Sequence, residues 1–283
     1  MNAVQRKIGR KKSLARRLSE DRRIQAAATV VLPVLLGILI FGLWQGGVLQ
    51  AIFHTDSFTL PVPTKIGALF RDNFGKVAAN ARDTVTVALA GLIIGSLVGY
   101  GAAVLASFFP NMGKGGLSIV GAFASIPVVA LAPVMNNWTR DVSTEASSRS
   151  MAAKILVVML IAAADMGLNA YRGLTELKPY AKDLMATYAA PRRMVFLKLQ
   201  LPNSVPYIFT ALKVSVPASI MTAIVSEYFA EYITGVGRQI RENIVLAQYA
   251  TAWVYITEAC IIGLLAYVIL MAVQAIVLRR YHF

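Results

Sequence analysis

Charged side chains are spaced along this chain so that long apolar intervals separate them. Arg23 and Asp56 bracket one interval, Asp83 and Lys114 a second, Lys114 and Arg140 a third, and Glu258 and Arg279 a fourth. Each reaches the ~20 residues that a helix needs to cross the hydrocarbon of a bilayer. Two more apolar stretches are interrupted: residues 151–171 hold Lys154 and Asp165, and residues 206–233 hold Lys213 and Glu227. The pattern predicts an all-α membrane protein whose six transmembrane helices fall near 24–46, 84–108, 115–135, 151–171, 206–233 and 250–278.

Composition agrees with that reading. Of 283 residues, 57% are hydrophobic and 15% charged, against roughly 25% charged in a soluble domain. The run Ile24–Trp44 is longer than the apolar part of a signal peptide and no small-x-small cleavage site follows, so it is expected to stay as an anchor. A net charge of +14 would suggest nucleic acid in a soluble protein, but here its placement points to topology, and no nucleic-acid partner is expected. Nine basic residues precede Ile24, from Arg6 to Arg23. They make residues 1–23 a cytoplasmic tail that leans on anionic lipid. Six crossings return the segment 172–205 and the carboxyl end to the same side. Arg172, Lys178, Lys182, Arg192, Arg193 and Lys198 lie in the first of these, Arg279 and Arg280 in the second. A multi-pass protein of the cell (inner) membrane with both termini cytoplasmic is expected. Cys260 stands alone, which leaves no disulfide and no cysteine-based metal site within one chain.

Between the spans, residues 47–83 read as an extracytoplasmic strap. Leu60-Pro61-Val62-Pro63 should be extended, because proline fixes φ and restricts its predecessor. Gly91, Gly95 and Gly99 recur every four residues and line one helix face, a packing groove within or between subunits. Pro127 and Pro133 should kink or end the third helix, with a polar outer loop from Asn136 to Ser150.

The stretch 172–205 is too polar to span and too rich in helix formers for a plain linker; it reads as short amphipathic helices joined at Pro179 and Pro191. Asp183-Leu184-Met185, then Ala189, then Leu199-Gln200-Leu201-Pro202 follow the spacing of a loop pattern that runs Glu-Ala-Ala, three residues, Gly, nine residues, Ile-x-Leu-Pro. In this the chain resembles the permeases of ATP-binding-cassette importers. Asn169-Ala170-Tyr171-Arg172-Gly173-Leu174, Asn203-Ser204-Val205-Pro206-Tyr207-Ile208 and Ser226-Glu227-Tyr228-Phe229 with Gly235-Val236-Gly237 bring the resemblance to the nitrate, taurine and sulfonate branch.

That resemblance implies a type I importer transmembrane domain, with a permease core over 84–283 and a coupling helix that inserts into a separate ATPase. It also implies a cytoplasmic ATPase dimer that carries the ATP and Mg, a second permease copy or paralogue, and an extracytoplasmic substrate-binding protein. No cofactor is expected in this chain itself. Leu184, Tyr188, Phe196 and Leu199 would supply an apolar docking face, with Arg192, Arg193 and Lys198 meeting acidic partner residues. The pattern departs at two positions, Asp183 for glutamate and Ala189 for glycine. Losing the glycine suggests that this turn avoids positive φ, or that Ala190-Pro191 makes the break.

No Gly-x-x-x-x-Gly-Lys-[Ser/Thr] loop occurs, and two histidines with one cysteine assemble no catalytic or metal constellation, so the chain is not expected to be an enzyme. Intramembrane acids usually mark a pathway or a paired site. Asp165 lines the path, pairs with a polar group on a neighbouring helix, or lies at the cytoplasmic interface where its span ends early. Glu227 either shapes the outer gate or anchors the following loop, and Pro217 places a kink beside the presumed path. An ion-gradient-driven transporter, with Asp165 and Glu227 as proton sites, is the competing reading. The cargo, whether sulfonate, taurine, nitrate or a thiamine-precursor pyrimidine, is not written in this chain.

Overall fold

Long apolar intervals become long helices. The computed structural model describes residues 22–109, 115–116, 118, 121–122, 125–142, 145–229 and 234–281, and every element among them is helical. The basic tail before Arg22 and residues 117, 119–120 and 123–124 of the expected 115–135 span lie outside the described residues. The chain divides into two compact units, Met1–Lys65 and Ile66–Phe283.

In the first unit, α1 (Arg22–Gln45) and the short α2 (Val48–Ile52) meet at Gly47, whose φ of 77° is a conformation glycine adopts without strain. α1 exposes Leu32, Leu35, Leu36, Ile38 and Leu39 around its circumference, as suits a helix solvated by lipid. After α2 the chain folds back on hydrogen bonds. Gln50 Nε2 donates to the Leu60 carbonyl at 3.0 Å, and Gln45 accepts the Thr64 N–H at 3.1 Å while donating to its hydroxyl at 3.1 Å. Asp56 accepts the Thr59 N–H at 2.9 Å, and bonds from Thr59 hold its carboxyl below the usual range.

The expected strap over 47–83 is mostly helical instead. α2, α3 (Pro63–Asp72) and the first turns of α4 (Phe74–Phe108) occupy it, leaving only residues 53–62 irregular. Pro63 accounts for part of the difference. At the first helical position its fixed φ suits the helix and its missing N–H would have had no partner.

The second unit contains α4, α5 (Val128–Trp138), α6 (Ala146–Thr175), α7 (Ala181–Thr187), α8 (Arg192–Val195), α9 (Leu201–Phe229), α10 (Val236–Val245) and α11 (Tyr249–Tyr281). Among the described residues, four helical runs are long and apolar enough to cross a membrane: α4, α6, the continuous run Arg192–Phe229, and α11. The apolar part of α1 is shorter, Val31–Gln45.

Gly91, Gly95 and Gly99 of α4 lie against α6 so closely that no side chain would fit. A Cβ on Gly91 would stand 2.5 Å from Val158 Cβ, and one on Gly95 or Gly99 would collide with the carbonyl oxygens of Met159 and Ala163. Lipid is as apolar as these helices, so close backbone approach and the dispersion it gains hold the pair together. α9 adds to both cores beside this pair. Val87, Ala88, Val158 and Ala223 bury together, and Ala103, Ala170, Leu174 and Ala211 form a second cluster.

α5 runs through Pro133 rather than ending there, and Pro127 stands as its N-cap. α5 and α6 take up both ends of the polar loop expected from 136 to 150, the first running to Trp138 and the second starting at Ala146. There the Thr139 hydroxyl lies 3.1 Å from both the Met135 and Arg149 carbonyls. Glu145 accepts the Ser147 and Ser148 hydroxyls, which hold its carboxyl below the usual range.

Candidate functional site

The connection between α6 and α9 is built from two prolines and one strained alanine. α7 starts after Pro179-Tyr180 and ends in a pair of bonds, Ala190 N–H to the Met185 carbonyl at 3.0 Å and Ala189 N–H to the Ala186 carbonyl at 2.9 Å. This is the Schellman arrangement, and it requires a left-handed residue between helix and exit. Ala189 fills that place with φ 47°. The expectation that this turn avoids positive φ is therefore wrong. Two satisfied carbonyls outweigh the ~1–2 kcal/mol of holding a Cβ there, and Pro191 stops any continuation.

Tyr180, Leu184 and Tyr188 recur every four residues and are 82%, 59% and 77% exposed, an apolar stripe that nothing in the protomer covers. Asp183 is exposed in the first turn of α7, where its charge suits the helix dipole, and Met185 is half-buried. Arg192 and Arg193 are exposed at the start of α8. Phe196, expected on the same docking face, turns inward instead. Its ring lies 5.2 Å from that of Phe108, and it packs on the cluster of Ala103, Met166, Leu174 and Ala211. Leu199, Leu201 and Pro202 are half-buried.

Phe196–Gln200 form a single π-helical turn, closed by the Leu201 N–H on the Phe196 carbonyl, and the chain continues directly into α9. The expected loop 172–205 thus shrinks to residues 176–191. Pro202 has no N–H to offer, and the shifted register immediately before it lets the helix pass that gap. Side chains of this run close the end of α6: Gln200 Nε2 donates to the Leu174 carbonyl at 3.0 Å, and Asn203 Nδ2 to those of Gly173 at 2.7 Å and Glu176 at 3.1 Å. These bonds tie the π turn and the start of α9 to the end of α6. Gln200 and Asn203 stood within the quoted motifs, but the sequence assigned no role to either.

Asp165, half-buried on α6, accepts the Ser215 hydroxyl of α9 at 3.3 Å. Pro217 sits on the exposed side of α9, inside a helix that runs on to Phe229. Glu227 occupies a different node. It is fully buried, and its Oε2 accepts the Thr84 hydroxyl at 2.8 Å and the Gly237 N–H at 3.0 Å. Thr84 Oγ1 in turn accepts the Val236 N–H at 2.9 Å, and Asn80 Oδ1 the Gly235 N–H at 3.0 Å. Three successive N–H groups leading into α10 are thus held by α4 and α9. Gly235, with φ 106°, leaves room for the Glu227 carboxylate, which any Cβ there would strike. Neither Asn80 nor Thr84 was singled out from the sequence.

Comparison with known proteins agrees with this architecture. Residues 91–283 match the family described as binding-protein-dependent transport system inner membrane component. Over 197 residues, 69% of this chain and 74% of the relative, the chain is 23% identical to the formylaminopyrimidine transport permease protein ThiX of Halalkalibacterium halodurans. It is 24% identical over 196 residues, 69% of this chain and 76% of the relative, to a probable ABC transporter permease protein of Haemophilus influenzae. Its fold is similar to inward-facing structures of the MetNI methionine ABC transporter. In one, the TM-score is 0.62 at 19% identity over 74% of this chain and 98% of that chain; in another, 0.56 at 17% over 71% and 97%. A type I importer permease fold, apolar spans and a family match over most of its length give one conclusion: the chain belongs to the binding-protein-dependent transport system inner membrane components, the multi-pass permeases of ABC transporters.

Proposed function

We propose that this chain is the permease subunit of an ATP-driven importer that carries a small polar solute into the cytoplasm, within the nitrate, taurine and sulfonate branch. Its partners are a cytoplasmic ATPase dimer, a second permease copy or paralogue, and an extracytoplasmic binding protein that delivers the solute. ATP and Mg act on the ATPase. The observation that carries the reading is the uncovered stripe Tyr180, Leu184 and Tyr188 on α7, with Arg192 and Arg193 beside it. An apolar stripe flanked by cations fits a cleft with acidic rims. The Schellman turn and Pro191 hold α7 at a fixed angle to α8, and Gln200 and Asn203 pass its displacement to α6. The name of the ThiX relative lends support to a thiamine-precursor type of cargo.

The test is ATP-driven uptake by vesicles holding the chain with its companion ATPase. Leu184→Asp puts a charge into the docking stripe, where hot-spot residues are worth ~2 kcal/mol or more. It should lower uptake roughly tenfold or more while the subunit still inserts. Unchanged uptake would remove α7 as the coupling element. Uptake by the chain alone on an ion gradient would overturn the importer reading.

A further inference from the structure

Where α4, α9 and α11 meet, a groove of about 440 Å³ opens between them. Val85 and Leu92 of α4, Ile220 of α9, and Ile262 and Val273 of α11 mark its extent, and of its thirteen lining residues only Ser219 has a polar side chain. From Ile262 to Val273 it follows α11 for ~16 Å by helical rise, about half the ~30 Å of bilayer hydrocarbon. A site so apolar at that depth takes hydrocarbon. A helix ~10 Å across would need over ~1,000 Å³ for the same length, so the slot admits a chain much thinner than a helix.

One end of the groove is polar. α4 and α9 are antiparallel, since Val87 and Ala88 pack with Ile220 and Ala223 while Ala103 packs with Ala211. α11 also runs against α9: Ile262 packs on the first of these clusters, and Glu258 lies within electrostatic reach of Glu227. The end nearest the start of α9 therefore gathers Ser96, one turn beyond Leu92, Lys213, one turn before Val216, and Gln274, one turn beyond Leu270. Ser96 Oγ and Gln274 Oε1 are buried without a hydrogen-bond partner, where buried polar atoms are normally paired. Lys213 is half-buried, and no described acid pairs with it. Its Cβ tilts toward the start of α9, so its long stem carries the ammonium out toward the membrane surface on the side of α7 and α8.

We propose that this groove is a lipid site, holding one acyl chain of an anionic phospholipid whose phosphate is met by Lys213. A lysine binds phosphate as a point charge and draws anionic lipid to its side of the membrane. The Ser96 hydroxyl donates to an ester carbonyl, and Gln274 Oε1 accepts a head-group hydroxyl. A phosphatidylglycerol supplies the charge, the carbonyl and the hydroxyl together. A phosphatidylcholine has neither the net charge nor the hydroxyl.

The full chain in detergent micelles is offered an equimolar mixture of phosphatidylglycerol and phosphatidylcholine, and the lipid it keeps is read by native mass spectrometry. One phosphatidylglycerol per chain should remain, preferred over phosphatidylcholine by roughly fivefold or more. Lys213→Gln should abolish the preference, and Ala266→Phe, which fills the groove, should abolish retention of either lipid. No lipid on the native chain, equal retention of the two lipids, an unchanged preference in Lys213→Gln, or unchanged retention in a folded Ala266→Phe would each overturn the proposal. Gel filtration checks the fold of Ala266→Phe; if it is lost, Lys213→Gln decides alone. A disulfide joining two copies of Val273→Cys in a Cys260→Ser background would also overturn it, because a second copy would then cover the groove. No ATPase or cargo takes part, so the outcome is independent of the importer reading.

Discussion

Ala189 shows how far one residue can be read and where reading stops. Its place in the loop spacing was legible, because the acidic residue, the turn and the Leu-Pro end lie at fixed separations. Its backbone was not, since alanine rarely adopts positive φ, and propensity alone argued against it. What decides the conformation is a pair of hydrogen bonds, to Met185 and Ala186, that only a left-handed residue can close. The consequence is a stored strain that can be relieved. Ala189→Gly removes ~1–2 kcal/mol of steric cost and adds ~0.4–1 kcal/mol of unfolded-chain entropy. The turn should gain about 0.5–1 kcal/mol. Slower hydrogen exchange at the amides of Ala189 and Ala190 would show the gain; faster exchange would mean that the alanine is not strained.

At the scale of elements, local rules were legible and long-range ones were not. The glycine spacing on α4 announced a face that must meet another helix, and the meeting with α6 follows from geometry alone. Phe196 was placed on the wrong face because the π turn before Pro202 rotates the chain, and a regular 3.6 period cannot anticipate that rotation. The Glu227 node was half legible. A buried acid in a span must have partners, but Thr84 is 143 residues away in sequence, and nothing local names it. Glu227 ties α4, α9 and α10 together, so Glu227→Ala strips the Gly237 N–H and the Thr84 hydroxyl of their shared acceptor. Each orphaned group costs ~1–3 kcal/mol. Glu227→Gln keeps one oxygen at that position and should lose much less. Thermal unfolding of the two variants in detergent should therefore separate them, the alanine variant unfolding at the lower temperature. Equal midpoints would mean that the node does not bear on stability.

For the whole molecule, topology is the property that the largest number of residues decide together. Basic side chains stay on the cytoplasmic side of a membrane, and the rule counts lysines and arginines near span ends rather than net charge. Here they gather at the amino end, around α7 and α8, and in the last turn of α11, and an even number of crossings separates these three places if six helices span. On the proposed six-span topology the irregular stretch 53–62, with its Asp56 turn, belongs outside, as do residues 139–142. Substituted cysteines decide the matter in sealed right-side-out vesicles. Cys260 is exposed, so the background must carry Cys260→Ser. In that background Ser57→Cys, exposed beside Asp56, should react with a membrane-impermeant maleimide added outside. Lys182→Cys on α7 should react only after the vesicles are opened, because the proposed docking places α7 in the compartment that holds ATP. Reaction of Lys182→Cys in intact vesicles would invert the chain, and with α7 on the wrong side of the membrane no docking on a cytoplasmic ATPase could occur.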